Sequence, residues 1–219
     1  MDKRPNIVIF NPDQWRGDVL GHMGNPAAVT PNLDRMAETD GVSFRYAFCQ
    51  NPVCTPSRCC FMSGWYTHVR GHRTMFHMMH EDEPVLLKTL KDNGYFVWWG
   101  GKNDLTPGQK PVDDYCTVRH KCSGKVQLLF CEPYPLRGGP ESDTYYSFYV
   151  GKLDVPKGEE VRLDHDWGHI LGAVDVIKSG LPEPFCIYLP IGFPHPAYGV
   201  EGPWYSMIDR DKVPPRIHA

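Results

Sequence analysis

The sequence predicts an α/β fold in which a mostly parallel sheet carries helices on both faces. Three observations support this. Asn6-Ile-Val-Ile-Phe10, Tyr95-Phe-Val-Trp-Trp99 and Phe185-Cys-Ile-Tyr-Leu189 are short apolar runs without polar alternation, as expected of strands buried on both faces. Segments with helical spacing stand between these runs, at residues 84–92 and 164–178. Each run also ends on chemistry: Asp13-Gln14, Gly100-Gly101-Lys102 and Pro194-His195-Pro196 follow the three strands. In such sheets ligands bind beyond the carboxyl ends of the strands, so all three groups are expected on one rim.

The elements follow in order. After the first strand, Thr30-Pro31 reads as an N-cap with proline in the first turn, with Leu33, Met36 and Ala37 on one face and Gly41 as the stop. Residues 42–48 have the composition of a second strand. Pro52 and Pro56 bracket a turn into a short helix over 57–63, closed by Gly64. Val85, Leu86, Leu87 and Leu90 give residues 84–92 an apolar helical face ending at Asn93-Gly94. Residues 107–160 hold no sustained period and read as an irregular insertion with a few short strands or loops. The 164–178 helix has Ile170, Leu171, Val174 and Ile177 as its expected apolar stripe, with Gly180 beyond it.

Bulk properties exclude several functions. In 219 residues, 41% are hydrophobic, enough for one sizeable core. The 23 basic and 26 acidic side chains are interspersed, which excludes the electrostatic footprint of a nucleic-acid binder. No apolar stretch approaches the ~20 residues that span a bilayer, and residues 6–10 are too short for a signal-peptide core, so a cytoplasmic protein without membrane partners is expected. The eight cysteines have neither paired zinc spacing nor disulfide-scaffold density, so reduced thiols are expected.

Asn51-Pro-Val-Cys54-Thr-Pro-Ser-Arg58 places a cysteine at the mouth of a helix with an arginine one turn on. A helix N-terminus presents free N–H groups and partial positive charge, which favour an anion and activate a nucleophile. Arg58 adds a permanent fork for two anion oxygens. From the residues alone this is a nucleophile beside an oxyanion site, a thiolate enzyme being the first reading.

Cys54-Thr-Pro-Ser-Arg58 resembles the Cys-x-Pro-Ser-Arg signature of the sulfatases of the alkaline phosphatase superfamily, and Ser63-Gly-Trp-Tyr-Thr-His68 resembles the segment after it. Residues 6–14 resemble the family's opening strand and metal ligands, Gly101-Lys102 its anion-binding lysine, and residues 193–198 its histidine loop. The resemblance runs over nearly the whole chain and implies an alkaline-phosphatase-like fold. It implies that Cys54 is oxidised by a formylglycine-generating enzyme to formylglycine, whose hydrate attacks sulfur, with Arg58 stabilising its hydroxyl. It also implies that Asp13, Gln14 and position 54 hold one divalent cation, Ca²⁺ before Mg²⁺ or Mn²⁺, that Lys102 and His195 contact the sulfate, and that His68 touches substrate. Oxygen ligands suit such a hard ion, and charge shifting onto the bridging oxygen makes surrounding cations and donors the main catalytic asset. The implied substrate is a small-molecule or carbohydrate sulfate ester; the alternatives are a phosphonate or phosphate ester hydrolase of the same superfamily, or an inactive truncated anion-binding fragment.

Two departures from the family pattern stand out. Many members carry histidine two positions after the lysine, where this chain has Asp104. Members also supply a second Asp-His or Asp-Asn pair beyond the histidine loop, whereas this sequence stops at Ala219, so residues 1–219 are expected to be the N-terminal portion of the catalytic domain. Asp164-His165 precedes that loop and reads as helix capping. Of His68, His72, His77 and His80, whose spacing fits no zinc finger, His68 is the best candidate for substrate contact. Trp98-Trp99 reads as core strand and Cys59-Cys60 as helix packing.

Overall fold

The computed structural model describes residues 3–107, 113–122, 141, 148–160 and 162–215. In chain order these form strand β1 (Ile7–Pro12), helices α1 (Pro31–Glu38), α2 (Cys54–Ser63), α3 (Thr67–Arg70) and α4 (Leu86–Asp92), and strands β2 (Phe96–Trp99), β3 (Val118–Arg119) and β4 (Tyr149–Leu153). Helix α5 (His165–Ser179), strands β5 (Phe185–Ile191) and β6 (Tyr198–Glu201) and helix α6 (Gly202–Met207) complete them. The described residues divide into two compact units, one drawing on 3–14, 49–107, 113–122 and 163–194, the other on 15–48, 141, 148–160, 162 and 195–215. No helix among them is long and apolar enough to cross a membrane.

The first unit is the predicted α/β layer structure. Its sheet runs β1-β5-β2-β3 with every pair parallel. Alternate strand residues serve opposite faces. Val97, Trp99, Cys186 and Tyr188 pack with Cys59 and Met62 of α2 and Leu87 of α4. Trp98, Ile187, Leu189 and Ile191 pack with Ala173 of α5. Helices thus cover both faces, and the Trp98-Trp99 and Cys59-Cys60 expectations hold: all four side chains are buried. Within the 107–160 region one short strand, β3, pairs in parallel with β2 at the edge of the main sheet. Most of that insertion, 108–112, 123–140 and 142–147, lies outside the described residues.

Three further expectations are corrected. The first strand is buried on one face only: Ile7 and Ile9 pack on the core, while Val8 and Phe10 are 56% and 49% exposed, because α5 covers β5 and β2 and no described element covers β1 there. The helix predicted over 57–63 begins at Cys54, since proline at position 56 falls in the first turn, where its missing N–H has no intrahelical partner to lose. On α5 the inward residues are Asp166, His169, Ile170, Ala173 and Val176, and the expected stripe members Leu171, Val174 and Ile177 face out. Asp166 and His169 took two of the inward places, which hydropathy alone does not anticipate.

In the second unit β4 pairs in parallel with β6, and Tyr149 and Tyr205 join hydroxyls at 2.8 Å. The helix start at Thr30 holds, but its hydroxyl bridges Asp34 and the Gly21 N–H instead of capping. Residues 42–48 form no strand. Val42, Phe44, Tyr46 and Phe48 alternate as a strand would, yet each is at least 76% exposed, and no described strand pairs with them.

Candidate active site

The carboxyl end of β1, the turn after β2 and the start of α2 deliver Asp13, Lys102 and Cys54 to one place. Asp13 Oδ1 accepts from the Cys54 thiol at 3.3 Å, and Oδ2 accepts from Lys102 Nζ at 2.5 Å and Arg58 Nη2 at 3.1 Å. Lys102 Nζ also lies 3.6 Å from Cys54 Sγ and 2.9 Å from Asp104 Oδ2. Arg58, itself buried, is fixed from three sides, since Nη1 donates to Asn11 Oδ1 at 3.0 Å and to the Tyr188 hydroxyl at 3.1 Å.

The local backbone explains why these groups meet. Gly101 adopts φ 110°, and a side-chain carbon there would come within 2.0 Å of the Pro190 carbonyl oxygen, so only glycine lets the β2 turn lie against β5 and deliver Lys102. The Lys102 N–H then donates to that same carbonyl at 2.8 Å. Asp13 is tied back through its N–H to Phe193 O, and Asp166 of α5 accepts from the N–H groups of Gly192 and Phe193 at 2.8 and 2.7 Å. Gln14 and Asp104 both have positive φ, 60° and 45°, a left-handed backbone that side chains other than glycine enter at a cost and that clusters at functional sites.

Electrostatics alter the first reading of Cys54. Burial, followed by the Asp13 carboxylate, pushes its thiol above the ordinary value, outweighing Lys102. The side chain is therefore a protonated donor, and the thiolate expected at a helix start is not formed. Burial alone would raise the Asp13 carboxyl, but the Lys102 and Arg58 cations outweigh it and hold it below the usual range. Burial would likewise lower Lys102, yet Asp104 and Asp13 keep it raised and charged.

The donor set fits a hard cation in part. Asp13, Cys54 and Asp104 each offer a ligand atom, all within 4.8 Å of one another. Asp104 Oδ2 is buried and, though ion-paired with Lys102, accepts no hydrogen bond, so a carboxylate lone pair stays available. Exchange of the sulfur at position 54 for oxygen would make the set all-oxygen, as Ca²⁺ or Mg²⁺ requires. Gln14 follows Asp13 directly and is exposed.

The sequence-predicted residues divide. Asp13, Cys54, Arg58 and Lys102 are brought together. His68 sits exposed on α3, stacked on Tyr66. His195 belongs to the second unit, where its Nδ1–H donates to the Pro196 carbonyl at 2.7 Å. Asp164 caps α5 as expected, accepting from the Trp167 N–H at 2.9 Å. His72 is structural: its ring is held by the His77 carbonyl and by buried Glu83, which also accepts from the His80 N–H. Sequence reasoning missed Asn11, Tyr188 and Asp166. Tyr188 had a signal, a hydroxyl in an otherwise aliphatic buried strand that needs a partner.

The sequence and the fold resemble known proteins. Residues 5–206 match the family model described as Sulfatase. The chain belongs to the sulfatase family. Among curated relatives it is 28% identical over 199 residues to arylsulfatase K of Danio rerio, covering 88% of this chain and 34% of that protein. It is 35% identical to the N-acetylgalactosamine-6-sulfatase of Canis lupus familiaris, over 95% of this chain and 43% of the relative. Among solved structures, the phosphonate monoester hydrolase of Agrobacterium radiobacter superposes with a TM-score of 0.72 at 20% identity, over 97% of this chain and 45% of that one. The sulfatase-family chain thus spans between about a third and somewhat under half the length of these proteins, and its fold is alkaline-phosphatase-like.

Proposed function

We propose that the protein hydrolyses a sulfate ester through a formylglycine formed from Cys54 by a formylglycine-generating enzyme, with Asp13, Gln14, position 54 and Asp104 holding one divalent cation, Ca²⁺ before Mg²⁺ or Mn²⁺. The observation that carries this reading is the meeting of Cys54, at the start of its helix, with Lys102 at 3.6 Å and Asp13 at 3.3 Å.

The residues divide the work as follows. The cation, when bound, supplies charge that offsets the sulfate and the developing negative charge. Lys102 pairs with a sulfate oxygen and keeps position 54 in a cationic field. Arg58, held by Asn11 and Tyr188, fixes Asp13 and lends charge to the hydroxyl at position 54. His195, whose Nδ1–H donates to the Pro196 carbonyl, is assigned to the sulfate or its leaving oxygen. His68 extends toward substrate from an exposed helix. By their names, the N-acetylgalactosamine-6-sulfatase relative supports a carbohydrate sulfate ester and the arylsulfatase K relative an aryl one.

Parallel assays on an aryl sulfate and an aryl phosphonate monoester test the reading in protein co-expressed with the modifying enzyme. Sulfate turnover that Cys54→Ala abolishes is expected. Preference for the phosphonate would favour the alternative that the Agrobacterium structure suggests, and no turnover of either would favour an anion-binding role.

A further inference from the structure

A second cluster of ligating side chains lies in the first unit, apart from the site at Asp13. His120 and Cys122 follow β3, and His165 and His169 occupy the first turns of α5. His120 Nδ1 stands 2.9 Å from His169 Nδ1, His169 Nε2 stands 3.1 Å from His165 Nε2, and Cys122 Sγ lies 3.7 Å from the His165 carbonyl. The ligand atoms of His120, Cys122 and His169 all fall within 4.8 Å of one another. They line a cavity of about 290 Å³.

The surroundings look cleared for this cluster. A side-chain carbon at Gly172 would come within 2.5 Å of the His120 ring, and one at Gly100 would strike the Trp98 ring at 2.3 Å before reaching His169 Nδ1 at 3.1 Å. The His120 ring is steadied against Trp98, centroids 5.0 Å apart. Helix α5 buries His169 on the same face as Ile170, Ala173 and Val176, while Leu171, Val174 and Ile177 stay exposed. Such breaks between hydropathy and placement concentrate at functional sites.

We propose that His120, Cys122 and His169 bind a borderline-soft divalent ion of the zinc type. Two nitrogens and one sulfur without a carboxylate select such an ion over Ca²⁺ or Mg²⁺. Two ligands of a tetrahedral ion at about 2.0–2.1 Å stand roughly 3.3 Å apart, so the 2.9 Å nitrogen pair needs only to open by a few tenths of an ångström. Three protein ligands leave the fourth position facing the cavity. Binding replaces the thiol S–H by a metal–sulfur bond and releases one proton to solvent. Arg119 and Lys121, which border the cavity, favour the thiolate that forms, and Arg119 already donates to the Trp99 and Gly101 carbonyls.

Titration of metal-free protein with Co²⁺ alone tests this. Expected are a thiolate-to-cobalt charge-transfer band and strong four-coordinate d–d bands that saturate at a single equivalent, are displaced by Zn²⁺ and resist millimolar Ca²⁺. Cys122→Ser removes the charge-transfer band, His120→Gln weakens binding at least about 10-fold, and Cys54→Ala changes neither. In the unaltered protein Zn²⁺ should protect Cys122 from alkylation, a readout that needs no variant to fold. Absence of the band, its survival in Cys122→Ser, its loss in Cys54→Ala, or Cys122 alkylation unaffected by Zn²⁺ would overturn the assignment.

Discussion

Replacing Arg58 by methionine removes a charge while keeping much of the stem volume, and the structure fixes what is lost. Arg58 and Asp13 are 5% and 6% exposed, and their contact is 3.1 Å. Breaking a buried pair from one side typically costs about 3–5 kcal/mol, because the remaining charge stays buried. Asp13 keeps Lys102 at 2.5 Å, which places the ion-pair loss at the lower end. Asn11 and the Tyr188 hydroxyl also lose their donor, adding about 1 kcal/mol together after partial rearrangement. The expected destabilisation is therefore about 3–4 kcal/mol, a large share of the 5–15 kcal/mol typical of a whole domain. Urea unfolding followed by the fluorescence of buried Trp98 and Trp99 reads it as a midpoint lowered by more than about 1 M at unchanged slope. A loss under about 1 kcal/mol would show that Arg58 does not organise the site, and the argument that it positions Asp13 would fail.

Other outcomes follow from the same geometry. Gly101→Ala forces a side chain against the Pro190 carbonyl at positive φ, so it should destabilise by more than about 1 kcal/mol and displace Lys102, read by urea unfolding and by loss of turnover. Asp166→Ala strips the acceptors from two N–H groups and should cost about 2–3 kcal/mol, with faster amide exchange at Gly192 and Phe193. Burial pushes Cys59 up to about 12 and Cys116 and Cys186 up to about 11, from an unfolded value of 9.0. Folded values above unfolded ones mean that this stability is complete below pH 9 and is lost as pH rises through 9 toward 11. At one unit above 9.0 each thiol should account for about 1.4 kcal/mol, and urea midpoints between pH 8 and 10 should fall accordingly, less steeply in Cys186→Ala.

Much of the fold was legible because apolar runs at strand length and helical spacing are direct records of burial. The parallel order, both helix layers and the Asp164 cap followed from them. The reading went wrong where tertiary context decided. Residues 42–48 alternate like a strand but have no described partner to pair with, and alternation alone supplies no hydrogen bonds. The inward face of α5 was misjudged because Asp166 and His169 take core positions for reasons of hydrogen bonding and ligation that hydropathy does not record. In the site, Cys54, Arg58, Asp13 and Lys102 were legible from motif and strand-end position. Asp104 was noticed only as a departure from pattern, yet it faces Lys102 from a strained backbone. Asn11 and Tyr188 were invisible because their role is to hold Arg58, a partner 47 and 130 residues away in sequence.

Intact mass of protein co-expressed with a formylglycine-generating enzyme, with peptide mapping across residues 51–58, probes the nucleophile directly. Conversion of the Cys54 thiol to an aldehyde should lower the mass by about 18 Da, confined to that peptide and reactive toward hydrazide probes. An unchanged thiol at position 54 under conditions that modify a control substrate would contradict the account.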